Sequence, residues 1–233
     1  MAPKHEKNKK SSYLVNAYLF AYNLIQSIGW SYLLYQICNF YIFPPKEKTL
    51  WDVVKYTVII FQNAACIEIF NVAVGYVKSN LIVTIQQVLS RVAIVAAIVY
   101  IPETTDSPGL CLALTAWCFA EITRYLYYGF NILGFIPYLL VWARYTLFII
   151  LYPLGVSGEL LIYWTSLNYV GKTKMWSLEL PNKYNIAFSL WTVIAFVMFI
   201  YIPLFPQMYI HMVHQRKKVL TSPGPKKVQK KLQ

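Results

Sequence analysis

Residues 81–101 read LIVTIQQVLSRVAIVAAIVYI, a run broken by one charge, Arg91. A helix rises ~1.5 Å per residue, so about 20 mainly apolar residues cross a ~30 Å hydrocarbon core. The run is long enough to do so, and the chain on either side repeats the pattern. Tyr13–Phe43 holds no charge at all. Tyr56–Val77 holds only Glu68, and Leu110–Tyr128 holds Glu121 and Arg124. A fifth run starts near Ile136, carries Arg144 and stays apolar to Val170 with Glu159 inside it. A sixth covers Ile186–Met212. The pattern predicts an all-α polytopic membrane protein, a six-transmembrane-helix bundle. Residues 132–170 are long for one span and short for two, so five and seven spans are the alternatives. Pro153, Gly155 and Gly158 predict a kinked or loosened helix in that stretch.

Composition agrees. Of 233 residues, 58% are hydrophobic and 13% charged, against about 45–50% and about 25% in soluble domains. A chain this size has too little interior for so much apolar surface. The same figures exclude intrinsic disorder, and four cysteines exclude a disulfide-stapled scaffold. The expected organisation is a basic tail over 1–12, a membrane domain over 13–212 and a second basic tail over 213–233. The first apolar run exceeds the h-region of a signal peptide and is read as a retained span.

The net charge of +12 comes from 21 basic and 9 acidic residues. Lys4, Lys7, Lys9, Lys10, Arg216, Lys217, Lys218, Lys226, Lys227, Lys230 and Lys231 flank the apolar region. That distribution fits the positive-inside rule, not nucleic-acid binding, for which no motif is visible. An even number of spans puts both termini on one side, so both are expected in the cytoplasm. Lys78 agrees, whereas Lys46, Lys48, Lys55, Lys172, Lys174 and Lys183 fall on the far side against the rule. The terminal Lys230-Lys231-Leu232-Gln233 resembles a dilysine retrieval signal of endoplasmic reticulum membrane proteins, although a generic basic tail would look the same.

Six ionisable residues lie inside the expected spans, three of each sign: Glu68, Arg91, Glu121, Arg124, Arg144 and Glu159. Each costs roughly 2.5–3.5 kcal/mol or more facing lipid, so they should face inward and pair. Depth matching suggests Glu68 with Arg91. Arg124 and Arg144 fall at one depth, where two guanidinium groups would suit an anion, or would each neutralise a glutamate.

Within Trp142–Leu161, WARYTLFIILYPLGVSGELL, Tyr152 and Glu159 are seven residues apart and share one helix face, ~10 Å apart along an ideal axis. A phenol and a carboxyl group are the ingredients of an acid–base pair, but spacing alone is a weak signal in a chain with 20 tyrosines. That block, LPNKYN at 180–185 and YIPLFPQMYIHMVHQRKKVL at 201–220 closely resemble the very-long-chain (3R)-3-hydroxyacyl-CoA dehydratase family, formerly called protein-tyrosine-phosphatase-like. Weaker similarity runs through AYLFAYNLIQSIGW at 17–30, the segment from Glu68, SRVAIV at 90–95 and EITRYLYYGF at 121–130, so it covers about Ala17–Leu220. The resemblance implies a six-span endoplasmic reticulum enzyme that performs the third step of fatty-acid elongation without a cofactor. It implies Tyr152 and Glu159 as the catalytic pair and matches Arg91, Arg144 and Gly155 to positions the family needs. It also implies the elongation condensing enzyme and two reductases as partners. The cysteine-containing stretch behind the old family name is absent, since residues 71–76 read NVAVGY.

Dehydration removes a proton from C2 and hydroxide from C3, so it needs a base and a proton donor. Glu159 suits the base and Tyr152 the acid; the residues leave the reverse open. Arg144 suits CoA phosphates or the support of Tyr152. A non-catalytic scaffold of the same fold and a small transporter are the rival classes.

Other signals carry less. Cys118 and Arg124 have phosphatase C-x5-R spacing, but the stretch is apolar, lacks glycine and contains Glu121. Cys38, Cys66, Cys111 and Cys118 form no C-x-x-C pair, and a Cys38–Cys111 disulfide has only its expected depth in its favour. His5, His211 and His214 are too few for an iron desaturase, and no nucleotide-binding loop is present.

Overall fold

The computed structural model describes residues 4–220 apart from 179, 182, 184 and 186, with side chains from residue 13 onward. Eight α-helices account for nearly all of it: α1 Lys4–Ile42, α2 Leu50–Ala64, α3 Cys66–Ala73, α4 Leu81–Tyr100, α5 Pro108–Ile132, α6 Tyr138–Thr146, α7 Phe148–Thr173 and α8 Leu190–Leu220. A 3₁₀ turn at Pro102–Asp106 joins α4 to α5. Among the described residues the only extended pairing is an isolated bridge between Leu178 and Phe188. The fold is therefore all-helical.

Four segments are long and apolar enough to cross a membrane: Leu50–Ala73, Leu81–Tyr100, Phe148–Thr173 and Leu190–Leu220. α1 and α5 are also long enough, and each buries polar side chains, three in α1 and Glu121 in α5. In α1, Asn23, Gln26 and Ser27 are buried beside Trp30, Leu33 and Ile37. That stripe recurs every three or four residues, while Tyr13, Ile25, Ile28 and Tyr35 point outward.

Local chemistry sets the helix ends. The Thr49 hydroxyl accepts from Asp52 N at 3.2 Å and the Asp52 carboxylate accepts from Thr49 N at 3.1 Å, a reciprocal cap that starts α2. The Asn80 side chain accepts from Ile82 N and Val83 N at the head of α4. Ser107 caps α5, with Pro108 in its first turn. Gly75 and Gly134, at φ +81° and +78°, take the left-handed conformation that ends α3 and α5.

The fifth apolar stretch is one bent helix, α6 running into α7 at Leu147. The bend precedes Pro153, whose ring lacks an N–H and crowds the carbonyl four residues earlier. Gly155 and Gly158, expected to loosen the helix, instead let it approach α5. A β-carbon on Gly158 would stand 2.5 Å from Ala113 N and 2.8 Å from Gly109 O. On Gly155 it would stand 3.4 Å from Ala116 Cβ, so a methyl fits there. Small residues thus bring two backbones together, a packing that works in lipid because it needs no hydrophobic driving force.

α5 is the central helix, packed mainly on α1 and α7, with Leu110, Leu114, Trp117, Cys118 and Tyr125 buried. α5 runs antiparallel to α1 and α7, and α8 antiparallel to α6 and α7. Phe20 lies by Gly129, Tyr128 by Arg144, and Thr146 by Arg216. The start of α1, the end of α5, the start of α6 and the end of α8 therefore share one end of the bundle. The opposite end gathers Tyr100, Trp176 and the 3₁₀ turn. α8 is peripheral, touching α7 and α6 with only Ile194 of its residues buried.

One expected pairing changes. Glu68 does not pair with Arg91: Arg124 takes Glu68, and Arg91 takes Glu121. Depth alone could not show that α5 supplies partners of both signs, Arg124 to Glu68 and Glu121 to Arg91. Cys38 and Cys111 are free thiols, not a disulfide. The dilysine-like end and most of the second basic tail lie outside the described residues.

Candidate active site

Glu159 sits midway along α7, two turns beyond Tyr152. Its Oε1 accepts a hydrogen bond from Trp117 Nε1 of α5 at 2.8 Å, and its Oε2 accepts one from the Tyr201 hydroxyl of α8 at 2.7 Å. Among the described residues no cation lies within ion-pairing distance of it. The carboxylate is thus held by two neutral donors.

Tyr152 faces the same helix. Its ring stacks on Phe205 at 5.1 Å with planes 7° apart, and lies 6.4 Å from the Tyr209 ring. Tyr201, Phe205 and Tyr209 are spaced by four, so they form one stripe of α8 facing α7. Tyr152 and Glu159 therefore address one stripe, as seven-residue spacing requires. The Tyr152 hydroxyl has no hydrogen bond to the protein among those formed by described residues, and its side chain is half-buried. It is free to bond to a bound molecule.

Arg144, in α6, has no carboxylate partner among the described residues. It lies over the rings of Tyr127, Tyr128 and Tyr145 at 4.6, 4.7 and 5.9 Å. Its Nη2 also donates to the Tyr128 hydroxyl at 3.0 Å. Aromatic faces hold a guanidinium without cancelling its charge. Arg144 lies about 12 Å along the helix from Tyr152, toward the end of the bundle where α1 starts and α8 ends.

Arg124, unlike Arg144, is committed to carboxylates. Its Nη1 and Nη2 donate to Glu68 at 2.6 and 2.8 Å, and its Nε donates to Glu121 at 2.9 Å. Glu121, only 3% exposed, also accepts from Arg91. Tyr125 donates to Glu68 at 2.5 Å. Two arginines and two glutamates thus close a neutral network across α3, α4 and α5. Arg91 touches the site through its other face, lying over the Trp117 ring at 5.4 Å. Gly155 lies against Ala116, one turn from Glu159.

Trp117 and Tyr201 were not singled out from the sequence. The Tyr201, Phe205, Tyr209 spacing was the available signal for one of them. Nothing local marks Trp117, since its importance comes from a helix 42 residues away in sequence. Cys118 is buried inside α5 and Arg124 is committed to carboxylates, so the C-x5-R spacing forms no phosphate loop. His211 lies near the end of α8 against Gln215 at 3.1 Å. A concavity bounded by Val170, Lys174, Phe188 and Trp191 lies at the other end of α7, away from Glu159.

The chain is similar to known proteins along most of its length. Residues 62–222 match the family described as protein tyrosine phosphatase-like protein, PTPLA. Human very-long-chain (3R)-3-hydroxyacyl-CoA dehydratase 2 is 40% identical over 209 residues, 89% of this chain and 82% of the relative. The Caenorhabditis elegans very-long-chain (3R)-3-hydroxyacyl-CoA dehydratase hpo-8 is 42% identical, over 91% of this chain and 99% of the relative. The Arabidopsis thaliana dehydratase PASTICCINO 2 is 33% identical, over 88% and 93%. No solved structure matches. A helical membrane chain with this similarity along nearly its whole length belongs to the protein tyrosine phosphatase-like, PTPLA, family, whose relatives here are named very-long-chain (3R)-3-hydroxyacyl-CoA dehydratases.

Proposed function

We propose that this chain is a hydro-lyase that converts (3R)-3-hydroxyacyl-CoA to trans-2-enoyl-CoA, the dehydration step of very-long-chain fatty-acid elongation, using Glu159 and Tyr152. The observation that carries the reading is the state of Glu159: a mid-bundle carboxylate held by two neutral donors, with no cation in ion-pairing distance among the described residues. Lipid-embedded charges are costly unless matched, and those that persist unmatched mark function.

Glu159 takes a C2 proton, which the thioester acidifies. The C–H electron pair becomes the C2–C3 double bond as the C3–O bond breaks. Tyr152 gives its proton to the departing oxygen, which leaves as water, and a proton passes from Glu159 back to Tyr152 to close the cycle. Both partners of Glu159 donate to it, which suits a proton acceptor. The unoccupied hydroxyl of Tyr152 suits the donor.

The order of groups along the bent helix supports a substrate lying lengthwise. Arg144 is nearest the terminal end, Tyr152 follows and Glu159 lies deepest. The charge of Arg144, held on aromatic faces, suits CoA phosphates, and the apolar bundle suits the acyl chain. We read Arg91, Arg124 and Gly155 as structural support: the first two neutralise glutamates, and Gly155 lets α7 lie against α5. We assign six spans to α1, α2 with α3, α4, α5, α6 with α7, and α8. The terminal end of the bundle then faces the cytoplasm of the endoplasmic reticulum membrane, and the condensing enzyme and reductases of elongation are the expected partners.

The test is a dehydration assay on detergent-purified protein. A long-chain (3R)-3-hydroxyacyl-CoA is the substrate and 2-enoyl-CoA formation the signal, with wild type, Tyr152→Phe and Glu159→Gln compared. Turnover by wild type and its loss in both folded variants supports the reading. A folded wild type inactive on every chain length tried sinks it in favour of a scaffold.

A further inference from the structure

We propose that Trp117 and Tyr201 are positioning residues that divide the Glu159 carboxylate: Trp117 fixes Oε1 as a permanent acceptor, and Tyr201 leaves Oε2 as the oxygen that takes and releases the proton. The inference rests on Glu159 being the base of the dehydration. It follows from the two donors being chemically unlike. An indole N–H can only donate, whereas a phenolic hydroxyl both donates and accepts. Trp117 Nε1 meets Oε1 at 2.8 Å and the Tyr201 hydroxyl meets Oε2 at 2.7 Å.

The two oxygens therefore respond differently to a proton. At Oε2 the C2–H bond breaks, the new O–H bond forms, and the Tyr201 hydroxyl turns so that its oxygen accepts what its proton formerly offered. At Oε1 the partner cannot turn, since an indole has no lone pair to present. A proton there would face a fixed N–H. Tyr201 thus follows the protonation state of Glu159, while Trp117 holds the carboxyl plane against rotation.

Both donors are braced. Arg91 lies over the Trp117 ring at 5.4 Å and is itself ion-paired to Glu121, so the indole is held from α4. Trp117 is 2% exposed. The Tyr201 ring meets Tyr163 edge-on at 6.2 Å. Tyr201 comes from peripheral α8, so the site is complete only when α8 is seated on α7.

The experiment is steady-state kinetics of the full chain in detergent on a long-chain (3R)-3-hydroxyacyl-CoA with hydrogen or deuterium at both C2 positions. Wild type, Tyr201→Phe, Trp117→Phe and Glu159→Gln are compared, with melting temperatures. Tyr201→Phe is expected to lower kcat about 10- to 100-fold with KM within about twofold, the loss of one charge-assisted hydrogen bond. Its primary deuterium isotope effect should rise, because proton removal from C2 becomes the slow step. Trp117→Phe should move kcat and isotope effect the same way by a smaller factor. Wild-type kcat and isotope effect in Tyr201→Phe would overturn the proposal. So would a fall in kcat that tracks melting temperature while the isotope effect stays constant. If Tyr201→Phe does not fold, Trp117→Phe decides: lowered kcat at constant KM supports it, and unchanged kcat overturns it. Wild-type activity in Glu159→Gln would remove the base itself, and with it the reading on which the proposal stands.

Discussion

Glu121 and Glu159 lie on either side of Trp117 and have opposite surroundings. Glu121 accepts from two arginines, and the adjoining Glu68 shares one of them, so that side of α5 is neutral. Glu159, between α5, α7 and α8, has an indole and a phenol and no cation within ion-pairing distance among the described residues. A carboxylate in lipid is costly, and pairing is the ordinary remedy. Arg91 reaches Glu121 and the face of Trp117, so a cation stands one residue from Glu159 without touching it. The contrast separates charges that hold the bundle from a charge kept for chemistry.

The largest expected effect tests that separation directly. Glu159→Gln should lower kcat about 10²- to 10⁴-fold, with little change in thermal unfolding in detergent. Unfolding of that variant would place Glu159 with the structural charges. Glu121→Gln should do the reverse, losing about 3–5 kcal/mol of stability because Arg91 is left without its partner. Chemical denaturation in mixed micelles reads it, and an unchanged midpoint would show the network to be dispensable.

A smaller effect distinguishes the two glycines of α7. Gly158→Ala should cost about 1–3 kcal/mol, because its methyl meets the α5 backbone at Ala113 and Gly109. Gly155→Ala should fall within about 0.5 kcal/mol, since its methyl meets only Ala116 Cβ at 3.4 Å. Equal melting temperatures for the two variants would contradict the close approach of α5 and α7. The smallest expected effect is at the mouth. Arg144→Lys should raise KM for the CoA substrate about tenfold with kcat held, because an ammonium loses the planar stack on three tyrosines and the forked phosphate contact. A fall in kcat at constant KM would move Arg144 from substrate binding to the support of Tyr152.

Much of this is legible in the sequence. Tyr152 and Glu159 share a helix face because seven residues are nearly two turns, and both do face one stripe of α8. Pro153, Gly155 and Gly158 predict a kinked or loosened helix in the long fifth stretch, and the break falls at Leu147, six residues before the proline. The partner of Glu68 is Arg124 and not Arg91, which depth suggests. Depth along separate helices orders residues vertically but carries no information about which helix stands between which.

Run length and composition dictate a helical chain in lipid, because a bilayer leaves the backbone no other way to satisfy its hydrogen bonds. Helix period then dictates which residues share a face. Packing alone decided the rest: that α5 is central, that Arg124 and not Arg91 neutralises Glu68, and that Trp117 and Tyr201 meet at one carboxylate. Those contacts join residues 42 to 56 positions apart. Such partners are selected by the close fit of small residues between helices, a property of two surfaces together that neither segment carries by itself.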